Sequence, residues 1–262
     1  MRVAVINCED AKKWHDHLEI MKNAYSSKTK DKEGQVVDDE FIEYKAWQHE
    51  LPTPDELNLI DGVIVPGAKY SANDELPWLK GVEDLLLYIV KNKRPQLFCN
   101  CFGHQVLAKA LGGTVTKNID HKFVFRSEEI HFITNNIKKL PYAKDLIGMK
   151  ETLLLLESHG DCVHILPPNV TKIAQSKGSE NEAFVIGDHV LSVQSHPEFN
   201  GAMITKRIFQ TLCEKGILND EKEANECKES VLNDKVNDSN TIFRNVVRKF
   251  LNRDFTLRKN FL

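Results

Sequence analysis

Residues 97–105 read Leu-Phe-Cys-Asn-Cys-Phe-Gly-His-Gln, and the fold can be worked out from this stretch. An apolar strand predicted at 95–99 runs into a helix predicted at 105–111 with almost no linker, and Cys101 lies at the junction. Such a turn is typical of a nucleophile elbow, which exposes one side chain at the carboxyl edge of a parallel sheet. Gly103 supplies the small neighbour that the turn requires.

The helix after the junction bears on the chemistry of Cys101. Its positive N-terminal end favours the thiolate, which is the nucleophilic form of cysteine. The backbone N–H of Phe102 is predicted to point to the place where an oxyanion would form. A buried structural cysteine is the alternative, because free cysteine is among the most buried residue types. The segment alone does not decide between the two.

A second segment, residues 190–199, reads Val-Leu-Ser-Val-Gln-Ser-His-Pro-Glu-Phe and is predicted to be a strand that ends in His-Pro-Glu. Residues two apart in an extended segment face the same side, and Pro197 restricts His196 to extended dihedral angles. Glu198 could therefore bind one imidazole nitrogen and leave the other free for a thiol, which is the arrangement of a catalytic triad. A surface His and Glu in a turn is the alternative.

Around these segments, strands alternate with helices over the first 113 residues, which indicates a mostly parallel sheet covered on both faces. Short strands with few helices between them are predicted from about 122 to 193, and helical periodicity returns at 201–214. The charged stretch at about 219–251 has sparse apolar positions and is predicted to be a helical appendage. Strands are predicted at 3–6, 41–46 and 62–67, helices at 11–24 and 82–90, and a loop at 26–35.

Composition excludes several classes of protein. The chain has 262 residues, a formal net charge of −3 and 41 % hydrophobic residues, so it can bury a substantial core in one large domain or two small ones. Near-balanced charge argues against nucleic-acid binding and against a polybasic membrane anchor. No apolar run reaches the roughly 18–20 residues that span a bilayer, and the start is too short for a signal peptide. We therefore expect a soluble, cytoplasmic protein.

The six cysteines lack the paired spacing of a zinc site, and without an export signal they are not expected to form disulfides. Cys99 and Cys101 are one residue apart, which does not suit a ligand pair. His15 and His17 are two apart on a predicted helix, so they do not face each other and are predicted to be surface residues. The sequence predicts no metal and no cofactor.

Together the two segments resemble the class I, or triad, glutamine amidotransferase family, whose elbow typically reads Gly-x-Cys-x-Gly-x-Gln and whose base segment reads His-Pro-Glu. Residues 64–68 (Ile-Val-Pro-Gly-Ala) resemble the family's oxyanion loop, and residues 158–161 (Ser-His-Gly-Asp) its substrate segment. Cys99 departs from the pattern, since the family usually has glycine there. The resemblance implies a flavodoxin-like three-layer α/β sandwich over residues 1–218, with extra antiparallel strands. Residues 219–262 lie outside the resemblance and are predicted to be a packed helical extension of the same domain, with a helix that docks a partner as the alternative.

The resemblance also implies roles for individual residues. Cys101 would be the nucleophile, His196 the base and Glu198 its orienting partner. Phe102 would supply one oxyanion-hole N–H, and Ala68 or Gly67 the second. The substrate-binding residues would be Gly67, Gln105, Ser158, His159, Gly160 and Asp161.

Two of these assignments have ordinary alternatives. Asp161, which could pair with a substrate α-ammonium group, could equally cap a turn. Gln105 could be an ordinary glutamine on the helix surface. Ser158 is not expected to be a nucleophile, because it has no elbow and sequence neighbours rarely form a triad.

The chemistry implied is attack by a Cys101 thiolate on a γ-glutamyl carbonyl, followed by hydrolysis of the resulting thioester. No nucleotide-binding loop occurs in the chain, so we expect an enzyme that acts on a small-molecule γ-glutamyl substrate without a synthase domain. The chain looks most like the stand-alone γ-glutamyl peptidase branch of the family. The alternatives are a glutaminase that delivers ammonia to a separate synthase partner, and a non-catalytic binding or sensing module.

Overall fold

The computed structural model describes residues 1–27, 29–30, 36–118, 121–143 and 152–253. Its strands are β1 (Arg2–Asn7), β2 (Thr29–Lys30), β3 (Val36–Val37), β4 (Glu40–Lys45), β5 (Gly62–Val65), β6 (Gln96–Asn100), β7 (Thr114–Lys117), β8 (Val124–Phe132), β9 (Thr152–His159), β10 (Asp161–Ile165), β11 (Thr171–Gln175), β12 (Ala183–Ile186) and β13 (Val190–Val193). Its helices are α1 (His17–Tyr25), α2 (Pro54–Leu57), α3 (Leu79–Asn92), α4 (Phe102–Ala110), α5 (Thr134–Ile137), α6 (Gly201–Ile204), α7 (Gln210–Glu214), α8 (Glu221–Val231) and α9 (Asp234–Leu251).

Nine strands form one sheet in the order β4-β1-β5-β6-β13-β12-β11-β8-β9. The first five are parallel to one another, and every pairing from β13–β12 onward is antiparallel. Numbered along the chain, the five parallel strands stand in the order 2-1-3-4-5, which is the flavodoxin-like order. The predicted α/β fold with additional antiparallel strands is therefore confirmed.

Side-chain alternation along the strands divides the core into two layers. On β5, Val63 and Val65 pack with α3 and α4, whereas Ile64 faces the opposite side with α1 and α9. Because both faces carry buried apolar residues, the parallel strands are apolar throughout, as buried parallel strands generally are. Three layers result, with the carboxyl ends of the strands left open at one edge of the sheet.

The C-terminal helices α8 and α9 pack against the sheet. Val236, Phe243 and Val247 of α9 are buried in the same layer as residues of β1 and β6. At the other end of α9, Leu251 lies so close to β5 that a Cβ on Gly62 would be 2.8 Å from its Cδ2 atom. Among the described residues, no helix is both long and apolar enough to cross a membrane.

Several element boundaries differ from the sequence-based predictions. The helix predicted at 11–24 is a 3-10 turn at Lys12–Trp14 followed by α1, and the helix predicted at 105–111 begins earlier, at Phe102. The loop predicted at 26–35 contains strand β2, which pairs with β3, while residues 28 and 31–35 lie outside the described part. The polar composition of residues 26–35 gave no alternating pattern by which so short a strand could be recognised. The predicted helix at 201–214 includes a π-helical stretch, Thr205–Phe209.

Candidate active site

Cys101 lies between β6 and α4, where it occupies the N-cap position of the helix with φ 48° and ψ −107°. These angles are unusual for a residue other than glycine, and such strained backbone is concentrated at functional sites. The turn is possible because Gly103 lies directly against β5: a Cβ at this position would be 2.0 Å from the Val65 carbonyl oxygen. The structure thus contains the sharp strand-to-helix turn that the sequence predicted.

His196 follows β13, the strand that pairs with β6, and its Nδ1 lies 2.7 Å from Glu198 Oε1. Gly67 lies against both the imidazole and the side chain of Cys101. A Cβ on Gly67 would be 2.6 Å from His196 Cε1 and 3.4 Å from Cys101 Cβ. The two side chains therefore come close together beside a residue that has no side chain. The structure therefore brings the three predicted triad residues together.

The environment of His196 determines its protonation state. Burial alone would lower the pKa of the imidazole, but the negative charges of Cys101 and Glu198, and their hydrogen bonds to the ring, together raise it well above its usual value. The ring is covered on one face by Phe199, with centroids 4.9 Å apart and planes inclined by 16°. The site thus favours the imidazolium form of His196 beside Cys101, and such a cationic partner is what activates a cysteine nucleophile.

The two proposed oxyanion-hole donors lie on either side of the elbow. In the part of the chain that the structure describes, the backbone N–H groups of Ala68 and Phe102 donate to no protein acceptor. The next N–H along the loop, that of Lys69, donates to Glu9 Oε2 at 2.9 Å, which fixes the loop. Fixed, unused N–H groups at this edge are what an oxyanion hole requires.

The predicted substrate segment lies beside the nucleophile. The Ser158 carbonyl oxygen is 3.8 Å from Cys101 Sγ. Gln105 Nε2 donates to the Asp161 carbonyl oxygen at 2.8 Å, so Gln105 is buried and supports this segment rather than lying on a helix surface. The Asp161 carboxylate forms an ion pair with Lys117 at 2.6 Å and accepts a hydrogen bond from Ser71, so a substrate ammonium group would share it.

One cavity of about 470 Å³ joins these groups. It is lined by most of the predicted site residues, namely Gly67, Ala68, Cys101, Gln105, Ser158, His159, Gly160, Asp161 and His196. Glu198 and Phe102 are buried and do not line the cavity. His159 is 3 % exposed, and burial lowers its pKa to about 4, so the ring is neutral and serves as a hydrogen-bonding partner of Asn118.

The prediction that His17 is a surface residue is wrong. His17 is 2 % exposed, its Nδ1 lies 3.1 Å from Asn7 Oδ1, and burial lowers its pKa to about 4. Its spacing to Ile20, Met21 and Ala24 places it on the buried stripe of α1, a signal that was present in the sequence. His15 is exposed, as predicted.

Sequence reasoning also missed Asn100, which precedes the nucleophile. Its Nδ2 donates to Glu198 Oε1 at 3.1 Å, the same oxygen that binds His196. Cys99 instead points into the layer of α3 and α4, where burial and the nearby Cys8 raise the pKa of its thiol well above the usual value. Within the described ranges, no three His, Cys, Asp or Glu side chains are placed to hold a metal ion.

Two fully buried glutamates, Glu157 and Glu182, lie side by side behind the site. Burial raises the pKa of each well above its usual value, and neighbouring carboxylates add to the effect. Glu182 Oε1 also accepts a hydrogen bond from the backbone N–H of Ser195, next to His196. Burial and the proximity of the two carboxyl groups therefore favour the protonated form in this pair, next to the backbone that leads to His196.

Replacing Glu182 by glutamine is expected to stabilise the protein increasingly as pH rises. Because the folded-state pKa of Glu182 is raised, this carboxyl group holds more of its proton in the folded protein than in the unfolded chain at pH values above about 4.3. Its contribution to the stability of the wild type therefore falls as pH rises. Glutamine does not titrate, so the variant should lose less stability over the same range. Urea unfolding at pH about 5 and about 8 measures the difference. The exposed Glu129→Gln is the control, and a pH-independent difference for Glu182→Gln would contradict the prediction.

Comparison with known proteins places the chain in a family. The model of the family "glutamine amidotransferase class-I" matches residues 23–215, and the chain belongs to this family. Gamma-glutamyl peptidase 3 of Arabidopsis thaliana is 27 % identical over 164 residues, which cover 62 % of this chain and 64 % of that protein. A glutamine-hydrolysing GMP synthase subunit of Sulfolobus acidocaldarius is 33 % identical over 151 residues, or 56 % and 73 % of the two chains.

Solved structures show the same fold. A glutamine amidotransferase from Thermotoga maritima matches with a TM-score of 0.71 at 20 % identity, covering 96 % of this chain and 98 % of that one. By sequence, the chain spans 57 % to 64 % of the length of the first curated relatives that it matches. The C-terminal helices α8 and α9 lie beyond the residues that the family model matches.

Proposed function

We propose that the protein hydrolyses γ-glutamyl amide bonds whose leaving group is an amino acid or a short peptide. The observation that carries this proposal is the arrangement of Cys101 and His196 in a cavity that continues well past the imidazole. A second candidate is a glutaminase that supplies ammonia to a separate synthase partner, favoured by the similarity to the glutamine-hydrolysing GMP synthase chain. Both candidates use the same chemistry at Cys101.

In the proposed reaction, the Cys101 thiolate attacks the γ-carbonyl carbon, and the N–H groups of Ala68 and Phe102 stabilise the resulting oxyanion. As the C–N bond breaks, protonated His196 gives its proton to the leaving nitrogen, and a γ-glutamyl thioester remains. His196 then accepts a proton from water, whose oxygen attacks the thioester carbon. Free glutamate and the thiolate are released, and Glu198 keeps the imidazole oriented throughout.

The glutamyl end of the substrate fits the side of the cavity formed by the Ser158–Asp161 segment. Gly160, Ser158 and His159 line the cavity, and Gly160 has no side chain to fill it. Asp161 would bind the α-ammonium group alongside Lys117 and Ser71, as a charge-assisted hydrogen bond. Gln105 would hold the segment from below through the Asp161 carbonyl group.

The leaving group must lie on the side of His196, since this residue protonates the leaving nitrogen. There the cavity is walled by a row of rings: Phe199 stacks on His196, and Trp14 stacks on Phe199 with centroids 5.1 Å apart. The apolar side chains of Ile208 and Leu212 also line the cavity. Ammonia needs no such space, whereas an amino-acid side chain does, which favours the peptidase over the glutaminase.

Two lysines line the same end of the cavity, Lys13 and Lys215. Lys13 Nζ donates to the Arg207 carbonyl oxygen at 2.7 Å and to Thr211 Oγ1 at 3.0 Å, which leaves one of its three N–H groups for a ligand. Burial lowers the pKa of Lys13, and the charge of Lys215 adds to the lowering although Glu9 opposes it. A free carboxylate on the leaving amino acid would offset this repulsion between cations.

A substrate panel tests the proposal. Glutamine, γ-glutamyl-glycine, γ-glutamyl-phenylalanine and its C-terminal amide would be incubated with the protein, and the released amines identified by mass spectrometry. We expect γ-glutamyl-phenylalanine to give the highest kcat/KM, with the amide about tenfold poorer because it lacks the carboxylate. Turnover of glutamine alone would favour the glutaminase, and no turnover of any compound would overturn both candidates.

A further inference from the structure

Helix α9 contacts the loop that carries the triad base. Arg244 donates three hydrogen bonds to consecutive backbone carbonyl groups of this loop: Nε to the oxygen of Pro197 at 2.6 Å, and Nη2 to the oxygens of Glu198 at 3.1 Å and Phe199 at 3.0 Å. Asn240, which is fully buried one turn earlier, donates from Nδ2 to the same Phe199 oxygen at 2.7 Å.

These carbonyl groups need such partners. After β13 the backbone of residues 196–199 is neither strand nor helix, yet all four residues are buried. A buried carbonyl group without a hydrogen-bond donor costs free energy of folding. The loop keeps its conformation because α9 supplies the donors. A single guanidinium group can do this because it presents five N–H donors in a fixed fork.

The same helix is also hydrogen-bonded to strand β9, which runs past the nucleophile. Ser239 Oγ accepts a hydrogen bond at 3.1 Å from the backbone N–H of Leu154. Further along β9, the Leu156 carbonyl oxygen accepts from the His196 N–H at 2.8 Å, and the Ser158 carbonyl oxygen faces Cys101 Sγ. Helix α9 is therefore hydrogen-bonded both to the loop that carries His196 and to the strand whose Ser158 carbonyl oxygen lies beside the Cys101 thiol.

We propose that Arg244 and Asn240 are positioning residues for the thiol–imidazole pair, so that α9, beyond the matched family region, belongs to the catalytic apparatus. The proposal rests on the role of Cys101 in the proposed function. Catalytic groups displaced by about 1 Å can lose two orders of magnitude in rate, so a small shift of the loop is enough to matter. In the described part of the chain, Arg244 and Asn240 donate to residues 197–199 and not to the Ser158–Asp161 segment, so replacing either residue should change substrate affinity little.

The test compares Arg244→Ala with Arg248→Ala, a matched control on the same helix that donates to Asn245 instead of the loop. We expect Arg244→Ala to lower kcat by about 10- to 100-fold with KM within about threefold, and Arg248→Ala to stay within about twofold of wild type. Alkylation of Cys101 by iodoacetamide requires no substrate. It should slow by about tenfold at pH 6 in Arg244→Ala and match wild type near pH 10, where the thiolate needs no imidazolium partner.

Partial rescue distinguishes positioning from bulk stability. Added guanidinium ion should restore part of the pH 6 alkylation rate in Arg244→Ala, and Arg244→Lys should lie between the alanine variant and wild type. The inference is overturned if Arg244→Ala alkylates and turns over like Arg248→Ala. If Arg244→Ala does not fold, Arg244→Lys and Asn240→Ala serve as the test variants. The inference is then overturned if both variants show the alkylation profile of the wild type. Absence of turnover with a shifted alkylation profile would refute only the proposed function.

Discussion

Replacing Cys101 by alanine is expected to reduce the hydrolysis of every γ-glutamyl substrate by about 10⁴-fold or more, because the loss of a nucleophile removes the covalent pathway altogether. Folding should be preserved, since alanine keeps the Cβ of cysteine and therefore adds no backbone strain at the φ of 48° found at this position. Initial rates at saturating substrate, together with thermal unfolding of both proteins, measure the two parts of this expectation.

Cys213→Ala is the matched control, since this partly exposed thiol lies on α7, outside the residues that line the cavity. The Cys213→Ala variant should retain full activity. In a brief treatment with iodoacetamide at pH 6, Cys101 should be the one cysteine of this variant that is alkylated. Mass spectrometry of the wild type quenched in acid should show a glutamyl adduct on the peptide that contains Cys101. Undiminished turnover by Cys101→Ala would contradict the assignment of the nucleophile.

The elbow and the His-Pro-Glu segment could be predicted from sequence because each places its chemistry where one element ends. Chain direction then brings both to the carboxyl edge of the parallel sheet, so Cys101 and His196 meet without any knowledge of side-chain packing. Gly103 was recognisable for a similar reason, since close approach between helix and strand leaves no room for a Cβ. Local pattern and sheet topology were sufficient for this part.

The supporting residues could not be predicted in this way. Arg244 lies 47 residues from Pro197 and is found on a helix whose charged sequence resembles an ordinary solvated surface. Its contacts depend on how α9 lies across the sheet, which is decided by the packing of distant apolar side chains such as Phe243. His17 shows the opposite case. Its helical spacing to Ile20 and Met21 did indicate that it is buried, whereas its spacing to His15, two residues away, says nothing about burial.

Glu198→Gln is expected to lower kcat/KM by about 10³- to 10⁴-fold, because the amide keeps the volume of the side chain but loses its charge. Glu198 Oε1 accepts hydrogen bonds from both His196 Nδ1 and Asn100 Nδ2, and its side chain is fully buried. If the amide nitrogen turns toward the ring, His196 adopts the tautomer that cannot accept the thiol proton. If the oxygen does so, the geometry survives without the charge that stabilises the imidazolium.

The pH dependence of the Glu198→Gln variant follows from the same charge. Because the negative charge of Glu198 helps to raise the pKa of His196, its removal lowers that pKa, and the imidazolium is lost at a lower pH. The alkaline limb of kcat/KM should therefore move to lower pH, as should the range over which Cys101 is alkylated as part of an ion pair. Glu129→Gln, which removes an exposed carboxylate of β8, should leave both profiles in place. A Glu198→Gln variant with the wild-type alkaline limb would show that Glu198 does not set the protonation of His196.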